Sequence, residues 1–446
     1  MSAGDRTAGN PTLVASDAQS FTPALNLPPT GAVRPLEAVA IAATVALVPA
    51  LLHARALADI LICAVDVLFL VRSAVERDWA WTGRAWVRLA GVLCLWLLVC
   101  TLLAGNPHAI AQALVVFRLP LFAAALQDWV LRRQAARQGL TVGFIAGALW
   151  VAGQSWQQLL TGHNLFGYKR WVDGALTGPF FKPRAGPSML ALFFPAVLPP
   201  AFRLLDQDSL LRRLAGLLLL VAAVATMVLI GQRMPVLLTV FGLVLAALFV
   251  RRLRWPVAAS LLAGAALLAL TSVVSPGTFG KLAVHFAEQM SHFWDSPYGQ
   301  LYLRAAAMIR EHPVLGLGLD GFRNNCADPH FFQGSAWLGV TDARISPGNG
   351  CNLHPHNYWL DVAVSCGLPG VAMFGGLAVL WLVGIGRGLV AGAEPMRLAL
   401  LVAASVFLWP LASASSLFVV DVGGWVMLTI GWGMALADLR SQPQKT

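Results

Sequence analysis

The residues best suited to chemistry are a histidine pair and its neighbours in Leu353-His354-Pro355-His356-Asn357-Tyr358-Trp359-Leu360, where the longest polar segment gives way to a long apolar run. Imidazole titrates near neutral pH and accepts a proton from a hydroxyl, so a histidine at the mouth of a lipid-bounded cavity is a candidate general base. His354 and His356 stand two apart. On a helix they face different sides, whereas in the extended chain that Pro355 favours they share one. A metal held there needs further ligands, and the nearby Asp361 and Asp342 are unconvincing ones. The plainer reading is that the histidines merely begin a helix, with Asn357 as its cap.

Anion-binding groups accompany the pair. Arg233, in Ile230-Gly231-Gln232-Arg233-Met234-Pro235, lies between two apolar runs, where an arginine is costly unless it is paired or lines a wet cavity. Arg184, in Lys182-Pro183-Arg184-Ala185-Gly186-Pro187, holds the equivalent edge of the apolar run before them. A guanidinium takes two phosphate oxygens at once, which an ammonium cannot, so both arginines read as phosphate ligands, with a structural ion pair as the alternative for Arg233. Arg118 differs. It stands inside an apolar run, with Asp59 and Asp66 on one face of another, and reads as half of a buried structural pair. Gly316-Leu317-Gly318-Leu319-Asp320-Gly321 fits the dinucleotide pattern G-x-G-x-x-G but lacks the strand before it. It reads instead as a turn that brings the chain close to its neighbours.

The chain of 446 residues is 58% hydrophobic and 12% charged. Apolar segments fall at roughly 36–53, 57–71, 86–104, 109–126, 138–160, 186–204, 212–231, 234–250, 255–275, 358–386, 395–416 and 418–437. This pattern describes an all-α polytopic membrane protein of about twelve spans. Its expected parts are a disordered cytoplasmic tail over 1–34, helices over 35–275, one large and mainly helical loop over 276–357, helices over 358–437 and a short tail over 438–446. Helices are expected within the loop at 282–286 and 301–310, the second ended by Pro313. No run of basic residues alternating with aromatics points to nucleic acid.

The formal charge is +10, from 31 Lys plus Arg against 21 Asp plus Glu. Arginine clusters near residues 72–84, 132–137, 203–213, 251–254 and 387–397 all fall on one side if both termini are cytoplasmic, as the positive-inside bias requires. The 276–357 loop then lies outside, together with Lys182, Arg184, Arg233, Arg304 and all four tyrosines, Tyr168, Tyr298, Tyr302 and Tyr358. Cations retained on that face against the bias suggest anion binding. Tyrosines there suit either an interfacial belt or sugar binding. Cys326 and Cys351 share the loop, and an oxidising compartment permits a disulfide between them.

These features together resemble the O-antigen ligase and polymerase superfamily of bacterial envelope glycosyltransferases. The resemblance rests on His356-Asn357-Tyr358-Trp359-Leu360 continuing to Gly367-Leu368-Pro369-Gly370, on Arg304 followed by Pro313-Val314-Leu315-Gly316-Leu317-Gly318 and Phe322, and on Arg233 at the end of a span. It covers roughly residues 180–390. Where the family often has an acid, two before the glycine, this chain has Ser365; Asp361, one turn closer, is the substitute expected to orient the histidine. The resemblance implies a GT-C-like architecture in the inner membrane, with the active site facing the periplasm. It also implies transfer of a polysaccharide from undecaprenyl pyrophosphate to the lipid A-core, without metal or other cofactor. His356 would be the base and His354 secondary, Arg184, Arg233 and Arg304 would hold the donor pyrophosphate, and Lys182, Asn357, Asp361 and Tyr302 would support them. An O-antigen polymerase and a protein-directed transferase share the same signature.

Overall fold

The computed structural model describes residues 33–390 and 394–441; the tail expected over 1–34, apart from its last two residues, and the end of the tail expected over 438–446 lie outside them. Every expected apolar segment is helical: α1 Val33–His53, α2 Arg55–Glu76, α3 Ala85–Ala104, α4 Pro107–Val115 with α5 Arg118–Asp128, α6 Gln134–Thr161, α7 Ala185–Leu205, α8 Leu210–Ile230, α9 Arg233–Phe249 and α10 Arg254–Val274. The loop contributes α11 Pro276–Phe279, α12 His285–Ser291, α13 Pro297–Glu311 and α14 Gly321–Asn325, and the chain closes with α15 Tyr358–Gly386, α16 Pro395–Phe407 and α17 Val420–Ser441. Eight segments are long and apolar enough to cross a bilayer by themselves, and α9 and α16 are shorter apolar helices. The protein is an all-α polytopic membrane protein.

Three segments depart from expectation, each for a local reason. The run at 109–126 is two helices, α4 and α5, with Asn106 capping the first through the His108 and Ala109 amides. Pro120 sits in the first turn of α5, where its missing N–H costs nothing, so the break precedes it rather than centring on it. Arg118 opens that helix and donates to Asp59 at 2.7 Å and to the Val115 carbonyl at 2.7 Å, which makes the expected pair, half-buried and not buried; Asp66 is buried and has no hydrogen-bond partner. In the second departure, α16 stops at Phe407 instead of 416, and Trp409-Pro410 leads into an irregular stretch that reaches back over the loop.

The third departure is a break inside α15. Cys366 and Gly367 leave helical geometry, Gly367 at φ +67°, so the helix has a short outer piece and a long inner one. Breaking a helix orphans carbonyls, and within a membrane each must find a donor in the protein. The 313–318 segment and α3 supply them: Leu317 N donates to Val364 O at 2.7 Å, Gly318 N to Ser365 O at 3.0 Å, and Trp96 Nε1 of α3 to Cys366 O at 2.9 Å. In return Leu368 N donates to Pro313 O at 2.8 Å. A Cβ on Gly316 would stand 2.6 Å from the Val364 oxygen, so only glycine lets the two backbones approach this closely.

The two ends of the bundle segregate cleanly. At one end Arg84 meets Asp128 and Asp438, Arg133 meets Glu37 and Arg397 and Arg440 meet Glu394, so the described chain begins and finishes there. The opposite end gathers the 53–55, 162–184, 231–232, 275–357 and 408–419 connections, as the Leu176 N to Ile230 O, Arg170 to Ser275 and Ala414 N to His356 O bonds show.

Candidate functional site

Helix α13 is the frame of the loop. Ser296 caps it by accepting from Gly299 N, and its apolar side, with Leu301, Ala305 and Met308, packs on Phe322, Phe331 and Val364 of the outer piece of α15. Expected at the donor pyrophosphate, Arg304 instead lies on this buried side and is 1% exposed. Its guanidinium donates to the Cys326 and Ser346 carbonyls, stacks 3.9 Å from the Phe332 ring centroid and lies against Gly350. The period of α13 turns Arg304 inward with Leu301 and Met308, so it grips the loop's own backbone rather than the open face. Cys326 and Cys351 are joined by a disulfide with Cα atoms 4.9 Å apart, closing the segment that Arg304 holds.

The histidine pair follows that disulfide. His354 and His356 place their rings 4.5 Å apart, brought together by a bent stretch and not by the extended one expected. Backbone strain marks the spot: His356 has φ +55°, a left-handed conformation unfavourable for a side chain with a Cβ. It is held by Ala414 N, which donates to the His356 carbonyl, and by Asn357 on the next residue. Asn357 Oδ1 accepts from Trp359 and Leu360 N, capping α15, while Nδ2 donates to Pro410 O at 2.6 Å. Tyr302 hydrogen-bonds Asn357, and burial raises its phenol above the usual value, so it serves as a neutral hydroxyl. Burial also pushes both imidazoles down, His354 to about 4 with His356 adding to the effect, so the pair is neutral at neutral pH. The Nε2 of His354 is buried without a hydrogen-bond partner.

Arg184 and Arg233 converge at the same end of the bundle. Gln232 Nε2 donates to Pro183 O at 2.5 Å, and Gly186 leaves room for Gln232 and Pro235, so the start of α7 is tied to the start of α9. Arg233 donates through Nε to Lys281 O at 2.7 Å and through Nη1 to Gln289, with Phe286 beneath it. All these partners are neutral, so its charge is not cancelled. Lys182 and Arg184 are exposed and have no side-chain partner among the described residues. Helix α9 in turn meets the segment over the histidines, for Phe241 packs 4.5 Å from Trp409, next to the Pro410 carbonyl that Asn357 holds.

Residues 218–375, from α8 to beyond the break in α15, match the family model described as O-antigen ligase. The match covers about a third of the chain and supports membership of the O-antigen ligase/polymerase superfamily. A comparison with curated proteins gave no match. The match supports a glycosyl-transfer-type activity in O-antigen processing, and it spans Arg233, Arg304 and the histidine pair, whereas Arg184 lies 34 residues before it. Asp361 does not reach the histidines: its carboxylate is bonded to Ser416. Ser365 uses its carbonyl to receive Gly318. Sequence reasoning missed Asn352, which contacts His356, Gln232, which ties the start of α9 to Pro183, and Gln289, which accepts from Arg233. Only the adjacency of Gln232 to Arg233 and of Asn352 to Cys351 signalled them. Among the described residues no three His, Cys, Asp or Glu side chains are grouped to hold a metal ion.

Proposed function

We propose that this protein is an O-antigen ligase, moving a polysaccharide from undecaprenyl pyrophosphate to a sugar hydroxyl of the lipid A-core at the periplasmic face of the inner membrane. The observation that carries the reading is the pairing, at one end of a membrane bundle, of a neutral imidazole with guanidinium groups that no carboxylate neutralises. His356 removes the acceptor hydroxyl proton as the oxygen forms its bond to the anomeric carbon, and the bond from that carbon to the pyrophosphate oxygen breaks on the opposite side, inverting the centre. Arg184 and Arg233, with Lys182, hold the pyrophosphate and stabilise the charge it carries away. Arg304 acts at one remove, by holding the loop on which the histidines stand. Because pyrophosphate leaves well when its charge is matched by guanidinium groups, the reaction needs no metal.

An apolar groove of about 350 Å³ lined by Leu245, Phe249, Leu382, Val383 and Leu401 lies between α9, α15 and α16. Helix α9 starts at Arg233 and the groove lies against its far end, so a polyprenyl tail hanging from a pyrophosphate at Arg233 would run the length of the helix to reach it. The lipopolysaccharide of a deletion strain tests the reading. Loss of all O-antigen from the core is expected, and a core still carrying one repeat would make the enzyme a polymerase instead. Transfer by purified protein in excess EDTA should persist; its loss would require a metal in the mechanism.

A further inference from the structure

The residue that determines the state of His356 is the one next to the disulfide. Asn352 Oδ1 accepts from the Leu353 amide at 2.7 Å, which turns the other end of its side chain, Nδ2, toward His356 Nε2 at 3.1 Å. An amide nitrogen only donates, so Nε2 must present its lone pair and the neutral ring carries its proton on Nδ1. Protonating Nε2 would set one N–H against another, unless the amide turned over and gave up the Leu353 bond. Nothing else facing the ring offers a stronger bias. Tyr298 of α13 lies at 5.5 Å between ring centroids and His354 at 4.5 Å. The 408–416 segment packed over the His356 backbone carries no titratable side chain, Tyr302 is bonded to Asn357, and Asp361 is turned to Ser416. Asn352 itself is well seated, since it follows Cys351, whose disulfide partner Cys326 is held through its carbonyl by Arg304.

We propose that Asn352 is a positioning residue for the reaction: its amide holds His356 in the neutral form with the Nε2 lone pair aimed outward, until the acceptor hydroxyl takes the amide's place and gives Nε2 its proton. The inference rests on His356 being the general base. It explains why a side chain with no reactive group stands against the imidazole where a carboxylate would be the commoner partner. A carboxylate there would stabilise the imidazolium and remove the base at mildly acid pH; an amide donor does the opposite.

The pH dependence of kcat/KM for the full-length protein, with lipid-linked donor and lipid A-core acceptor, tests this. Asn352→Asp provides an acceptor for the imidazolium and raises the His356 pKa, so the acid limb is expected to move to higher pH by about one unit. Activity below the limb then falls about tenfold, with recovery above it. Asn352→Ala removes the opposing N–H and moves the limb the same way by less. A side chain that matters only for loop structure would scale the whole profile and leave the limb in place. An Asn352→Asp limb that coincides with the wild-type one, or lies below it, overturns the proposal. His356→Ala measured alongside separates the two layers: full activity there removes the base assignment, whereas an inactive His356→Ala with unshifted Asn352 variants removes only the role of Asn352. Because Asn352 is exposed and Asp has its shape, both proteins are expected to fold, and an intact Cys326–Cys351 bond in an unreduced digest verifies it.

Discussion

The two ends of this bundle both carry arginines, but they hold the ones without a carboxylate differently. Where the described chain starts and finishes, Arg84 lies between Asp128 and Asp438, Arg133 on Glu37, and Arg397 and Arg440 on Glu394, while Arg88, Arg137 and Arg254 fold back on carbonyls of their own neighbouring backbone. At the loop end Arg55, Lys281 and Arg344 are also paired with acids. Arg233, however, is held by a carbonyl and an amide, and Lys182 and Arg184 by nothing among the described residues. A cation matched to a carboxylate is finished as structure. One fixed by neutral groups has its direction set while its charge remains available to an anionic ligand.

The comparison breaks most sharply at the base. His356→Ala should lower transfer by about a hundredfold to ten-thousandfold, the usual range for removing a general base, while the protein still inserts. His354→Ala should lose less, and wild-type turnover by the His356 variant in a purified assay would dismiss it as the base. Next come the two classes of arginine. Arg84→Ala takes one partner from Asp128, which keeps Arg132, and one from Asp438, which keeps Gln127, and should destabilise the fold by about 1.5–3 kcal/mol, visible as early thermal unfolding. Arg184→Lys and Arg233→Lys should instead leave stability alone and reduce kcat/KM by about tenfold to a hundredfold, for a point charge cannot reproduce a planar fork worth about 1.5–3 kcal/mol per charged contact. Unfolding of the Arg233 variant without a kinetic defect would put it in the structural class.

Smaller effects follow for the loop. Cys326→Ser or Cys351→Ser removes a link worth about 3 kcal/mol in the chain-entropy model, and hydrogen exchange across 327–350 should rise while the membrane helices stay protected. An unchanged exchange rate would show that Arg304 and the α13 contacts suffice. Acid should act in the same place. His354 is held at about 4 against an ordinary 6.5, so the unfolded loop binds more protons than the folded one between those values. Stability of the loop should therefore be lost as pH falls from about 6.5 toward about 4 and be flat above it. Exchange that is insensitive to pH over that window would contradict the burial of His354.

How much of this could be read from the residues depended on whether a signal was local. Twelve apolar runs became helices because hydropathy over about twenty residues decides that alone. The Arg118–Asp59 pair was legible from helical periodicity, and the close approach at Gly316-Leu317-Gly318 from its glycines, although its partner was not. The broken turn at Cys366–Gly367 was hidden, because the 358–386 run is apolar throughout and hydropathy is blind to dihedral angles. At the site, the histidines and the outer arginines could be named from type and topology. Burial separated Arg304 from Arg184 and Arg233, and that depended on which face of α13 met α15, a tertiary fact. Asn352 and Gln289 carry no motif; only their distances reveal them.

The interrupted helix has a consequence for how the protein is made. Val364 and Ser365 have no carbonyl partner until the 317–318 backbone arrives, and that backbone is part of the segment that precedes α15 in synthesis. The outer piece of α15 therefore cannot settle during insertion on its own, as a continuous helix would. The 313–318 turn must fold and dock first, and only then can the helix take its final bent form with His356 at its head. Maturation of the site is thereby coupled to the folding of the loop: a chain whose loop failed to dock would lack both the histidine scaffold and the bent form of α15.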